Sequence, residues 1–181
     1  SLVLPVKLAL NRENQDAALQ QALGVDASGM AAFRAELTRL SQTIPLTEEQ
    51  LADLARQGAQ IGVNKTALGD FVRNAARLGV AFRLSSEEAG NALARFRQDF
   101  HLSNEKAALL GDALGKLGEG SRVSVGELFA FSAAFGKTAA SYGVQGEQAG
   151  ALGAALLQTG MDAEGASVAA GAAFQALGAL T

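Results

Sequence analysis

The sequence predicts an all-α protein, a compact array of about eight or nine short helices with glycine C-caps, and three observations carry that prediction. Glycine stops recur along the chain, cap residues follow several of them at once, and the apolar residues between stops keep a helical period. The stops are Leu23-Gly24-Val25, Ile61-Gly62-Val63, Leu78-Gly79-Val80, Tyr142-Gly143-Val144 and Thr159-Gly160-Met161. Glycine enters the left-handed conformation that ends a helix at little cost, and an apolar residue after it folds back on the last turn. Gly24, Gly62, Gly79, Gly143 and Gly160 are therefore the expected helix C-caps.

The elements follow in order. Leu2 to Leu10 is the one stretch that reads as extended, since Pro5 opposes a helix there. Helices are expected near 12–23 and, after the N-cap Asp26, near 27–42. Thr47 opens 47–61, with Gln50 completing a capping box and Leu51, Leu54, Ala55 and Ile61 on one face. Asn64 caps 65–78, which carries Leu68, Phe71, Val72 and Ala75; Ser85 with Glu88 opens 86–99, which carries Ala89, Leu93 and Phe96. A helix at 103–117 around Leu110 and Leu114 leads to a flexible link, Gly118 to Ser121. Ser124 with Glu127 opens 125–142, where Leu128, Phe131, Phe135 and Tyr142 recur; 146–159 and 163–179, the latter capped by Asp162, complete the series.

Spacing suggests an organisation in three parts: an N-terminal helical extension at 1–43, a first helical unit with its connecting helix at 44–122, and a second unit at 123–181. Gly143 and Gly160 each lie 81 residues beyond Gly62 and Gly79. Two readings fit that offset. Either two three-helix units are stacked, or two helical hairpins share a length by chance.

Composition narrows the function classes. Without cysteine there is no disulfide frame, thiol nucleophile or thiolate metal site, and His101 is the single histidine. Net charge is -3 and no basic run occurs, so specific nucleic-acid binding is not expected. Ser1 to Leu10 lacks the basic start and long apolar core of a signal peptide, and the charge-free Gly165 to Thr181 is too short and too rich in Gly and Ala to span a bilayer. Charge is uneven: residues 1–122 hold 14 Lys and Arg against 14 Asp and Glu, whereas 123–181 hold one against four. The low-charge segment Gln148 to Thr181 is expected to be packed within the domain, against another copy, or against sequence lying elsewhere in a longer protein.

No residue pattern demands catalysis. Glu48-Glu49 and Glu87-Glu88 fall in first helical turns, where carboxylates complement the dipole. His101 follows Phe100 at a helix end and reads as a capping residue. Gly146 to Gly150 and Gly118 to Gly120 lack the preceding strand and Lys-Ser/Thr of a phosphate loop. Arg73, Arg77, Arg83, Arg95 and Arg97 alternate with acids as a solvated face does. No catalytic residue, metal site or cofactor is expected.

The run Ile44-Pro-Leu-Thr-Glu-Glu-Gln-Leu-Ala-Asp-Leu-Ala-Arg-Gln-Gly-Ala-Gln-Ile-Gly-Val63 resembles a recurring core segment of phage tail tape measure proteins. Leu78 to Phe82, Leu84 to Gly90 and Val144 to Met161 are similar to its continuation, so the resemblance covers roughly 44–178. It implies a fragment of a longer structural protein that lies in the tail lumen, is assembled in the host cytoplasm, sets tail length and leaves as DNA is ejected. It also implies contacts with the tail tube protein, an assembly chaperone and tail tip or baseplate proteins, self-association in the tail, and membrane contact confined to ejection. The glycine stops predict a compact helical module within that protein instead of a straight rod. The competing reading is a helical interaction module or adaptor without enzymatic activity.

Overall fold

A computed structural model describes residues 17, 19–21 and 24–179. The expected extended stretch at Leu2 to Leu10 and most of the helix at 12–23 lie outside them. The described residues form helices and no strand. In order these are α1 (Ala27–Ser41), α2 (Glu48–Gln60), α3 (Lys65–Phe82), α4 (Ser86–Asp99), α5 (Asn104–Gly120), α6 (Val125–Ser141), α7 (Gly146–Leu157) and α8 (Ala163–Gly178).

Two of these helices outrun the sequence reading, each for the same reason. Gly79 does not cap α3. The helix continues through it to Phe82, and the left-handed residue is Arg83, with φ 56°. A Cβ at Gly79 would lie 3.3 Å from the Leu84 carbonyl oxygen, so this glycine lets the returning chain pass close to the helix. Likewise Gly118 to Gly120 is not a flexible link but the last turn of α5, where a Cβ at Gly118 would sit 2.7 Å from a Val125 methyl group. The two glycine pairs are not equivalent in conformation: Gly62, Gly143 and Gly160 are left-handed, and Gly79 is helical.

The chain divides into two compact units, 1–73 and 74–181, with the boundary inside α3. The first holds α1, α2 and the opening turns of α3. Leu37, Leu40, Ile44, Leu51, Leu54, Leu68, Phe71 and Val72 are all buried there. Gly58 is the point of closest approach, since a Cβ on it would come within 2.6 Å of Leu68 and 2.8 Å of the Phe71 ring. Glu36 lies 3.6 Å from the Arg73 guanidinium, a half-exposed pair that contributes little to stability.

The second unit is arranged around α6, which packs against α4, α5, α7 and α8. Leu128, Phe129, Phe131, Phe135 and Ala139 are buried on several sides of that helix, and a helix apolar nearly all round is stable only when enclosed. Phe96 of α4 meets Phe129 edge to face, with centroids 5.7 Å apart, and Phe82 at the end of α3 meets the same ring at 6.3 Å. Phe131 and Phe135 lie 5.4 Å apart.

Candidate functional site

The residues singled out in the sequence sit at separate helix ends and do not converge on one centre. Thr47 accepts from the Gln50 N–H at 3.2 Å and donates its own N–H to the Gln50 side chain at 2.9 Å. Ser85 and Glu88 close the same reciprocal pair at 3.1 and 2.8 Å. Asp26 accepts from the Gly29 N–H at 2.8 Å, Asn64 from Ala67 at 2.9 Å, Ser124 from Glu127 at 3.3 Å and Asp162 from Gly165 at 2.7 Å. Each satisfies a backbone donor that the helix itself leaves open. The Gly29 N–H, then the Ser28 hydroxyl, hold the Asp26 carboxyl below its ordinary value, and the Ser85 N–H and hydroxyl do the same for Glu88.

At the helix ends, Gly24, Gly62, Gly143 and Gly160 have φ of 58°, 79°, 72° and 90°. The Val63 and Val144 amides reach back to the Gly58 and Ala139 carbonyls at 2.9 Å, the six-residue bond of the Schellman turn. The stop at Arg83 and the start at Ser103 escaped the sequence reading, whereas His101 was placed at a helix end without its left-handed backbone being foreseen. Arg83 and His101 are left-handed without being glycine, and the Leu84 and Leu102 amides close the same bond to Gly79 and Arg97. Ser103, expected inside its helix, is the N-cap of α5 and accepts from Lys106 at 3.3 Å. The available signal was a leucine followed at once by serine, which is an apolar clasp and then a cap.

What the second unit does bring together is a set of small residues. Gly146, Gly150 and Gly153 line the buried face of α7, where added Cβ atoms would collide with Leu110 and Leu114 of α5 and with Phe131 of α6. Gly111 and Gly115 of α5 receive the Leu78 and Phe82 side chains in the same manner. Such a face positions helices against one another and offers no nucleophile, acid or ligand. Among the described residues no group of three or more His, Cys, Asp or Glu is placed to hold a metal ion. No described helix is long and apolar enough to cross a membrane.

Among the described residues one carboxyl is shifted from its ordinary value in the unfavourable direction. Burial pushes the Asp99 carboxyl up, against the pull of Arg95, Lys137 and His101. Asp99 also closes α4, where the helix dipole opposes negative charge. A raised folded-state value means that the ionised form is destabilising; the penalty is complete above that value and fades as pH falls through the carboxylate range. Asp99→Asn is therefore expected to raise the melting temperature near neutral pH, with the advantage narrowing toward pH 3. Thermal melts of both proteins across that range check the sign.

Comparison with known proteins places this packing in context. The profile of the phage-related minor tail protein family matches residues 34–181, from within α1 through every later helix. The chain belongs to that family. One relative is the probable tape measure protein of Halomonas phage phiHAP-1, 36% identical over 84 residues that make up 46% of this chain. The aligned part covers 10% of that relative, so the chain corresponds to a small portion of a much longer protein. No solved structure matches. The residues matched by the phage-related minor tail protein family take in the glycine-faced helices α5 and α7.

Proposed function

We propose that this chain is a folded, non-enzymatic module of a tape measure protein, acting by packing and assembly in a phage tail or tail-like particle. The supporting observation is that the family match takes in α2 to α8 and the latter part of α1, which are the glycine-faced, capped helices. In this reading the parent protein occupies the tail lumen, sets tail length with the tube protein and an assembly chaperone, contacts tip or baseplate proteins, and is released as DNA is delivered. Assembly takes place in the host cytoplasm. The measuring length lies mainly in other parts of the parent, because short capped helices use their residues for local packing instead of reach.

Peptide mass spectrometry of purified tails before and after DNA release, with tail lengths measured by electron microscopy in an in-frame deletion of codons 74–181, tests this reading. Peptides of the segment are expected in full tails and missing from emptied ones, and the deletion is expected to shorten tails or prevent their assembly. Tails of unchanged length that never contain these peptides would overturn it. An adaptor is the second reading, favoured by the exposed Val168 and Leu177 on α8. A short parent gene away from tube and baseplate genes would select it.

A further inference from the structure

We propose that α8 is a strap that opens from the second unit as a single element, uncovering the Phe135 and Tyr142 face of α6 while the other helices stay folded. The two sides of α8 are very unequal to the task of holding it. Its only fully buried residues are Ala166 and Ala170, which remove little hydrocarbon from water. By contrast α4, α5 and α6 each bury at least one Leu or Phe completely, among them Leu93, Phe96, Leu110, Leu114, Phe131 and Phe135.

α8 lies close along α6 and also against α7, but small residues make most of that contact, and Phe174 is its one aromatic side chain. Phe174 lies 5.6 Å from Phe135 and 5.5 Å from Tyr142, centroid to centroid, and is itself only half-buried. Gly178 brings the helix backbone against the same tyrosine, since a Cβ there would be 3.0 Å from Cε1. The outward side contributes nothing: Val168 is 65% and Leu177 61% exposed, and Ala172, Ala173 and Ala176 are exposed too.

Intrinsic preference does not compensate. Gly165, Gly171 and Gly178 each weaken the helix, Glu164 is its only charged residue, and a helix of this length is marginal once its packing is removed. The connection before it runs through Gly160 at φ 90°, where glycine turns the chain cheaply. Elements of low buried area open at lower free energy than the core and do so as contiguous units.

Amide hydrogen exchange on the whole 181-residue chain, followed across sub-denaturing urea, reads this directly. The α8 amides are expected to be roughly a hundredfold less protected than those of α6, with a shallow urea dependence that joins the global isotherm only near the midpoint. Phe174→Ala should lower α8 protection by about tenfold through the loss of two ring contacts, with α4 to α7 unchanged. Gly171→Ala, whose Cβ would meet open space, should raise it. The proposal is overturned if α8 shares the isotherm of α6, if Phe174→Ala leaves α8 protection unaltered, or if that substitution releases every helix together.

Discussion

Gly153→Ala is expected to destabilise the second unit by about 1–3 kcal/mol, although alanine is the better helix former by about 1 kcal/mol. The added Cβ would fall 2.3 Å from Cδ1, 2.6 Å from Cε1 and 3.0 Å from Cγ of Phe131. That ring is fully buried and already tilted against Phe135, so it has nowhere to withdraw. Gly150 is a useful contrast. Its Cβ would meet Leu114 at 2.0 Å, but the nearest atom is the methyl end of a flexible side chain, which can change rotamer. Urea unfolding should show the Gly153→Ala midpoint falling with its slope preserved, and the cost should shrink when Phe131 is first shortened to leucine. A midpoint that stays or rises in the single variant would remove close packing as the reason for this glycine.

A larger loss is expected for Phe96→Ala, about 3–5 kcal/mol. Phe96 is fully buried and stands edge-on to Phe129, which in turn meets Phe82, so its removal leaves a cavity in a row of rings that joins α4 and α6 to the end of α3. Typical domains have only about 5–15 kcal/mol in total, so such a loss removes a large share of it. Calorimetry checks the melting temperature and the enthalpy together. The same truncation at Phe174 should act on α8 alone, because burial and not residue type sets the scale.

These packing roles divide what could be read in the sequence from what could not. Thr47 with Gln50 and Ser85 with Glu88 are local pairs, three residues apart, whose meaning does not depend on the rest of the fold. Gly62 and Gly143, each followed by valine, likewise carry both the left-handed residue and its apolar clasp. Gly79 has the same neighbours as Gly24, leucine before and valine after, yet stays helical because its missing Cβ makes room for the chain beyond Arg83. A glycine can mean a turn or a close approach, and only the partner distinguishes them. The partners of Gly118, Gly146 and Gly150 are side chains on other helices, where no short-range pattern reaches. Arg83 escaped for the opposite reason, being left-handed without the residue that advertises it, and the left-handed backbone of His101 was hidden in the same way although its place at a helix end was read. Family resemblance was legible from 44 onward through the order and spacing of the capped segments in this sequence, whereas the match extends back to residue 34.

The brevity of the connections has a consequence for digestion. Between α1 and α8 no linker exceeds six residues, and many of their amides are engaged by caps and six-residue turns. A protease needs an extended, free segment, and these linkers offer almost none while the helices are closed. Cleavage should then follow the equilibrium population of opened helices, and at low enzyme the logarithm of its rate should fall in proportion to stability. Trypsin faces a further restriction in the last third, since Lys137 is its only target beyond Arg122. A broad-specificity enzyme such as thermolysin is expected to trim α8 first and leave a resistant fragment ending near Gly160, with later cuts ranking the remaining helices by their opening.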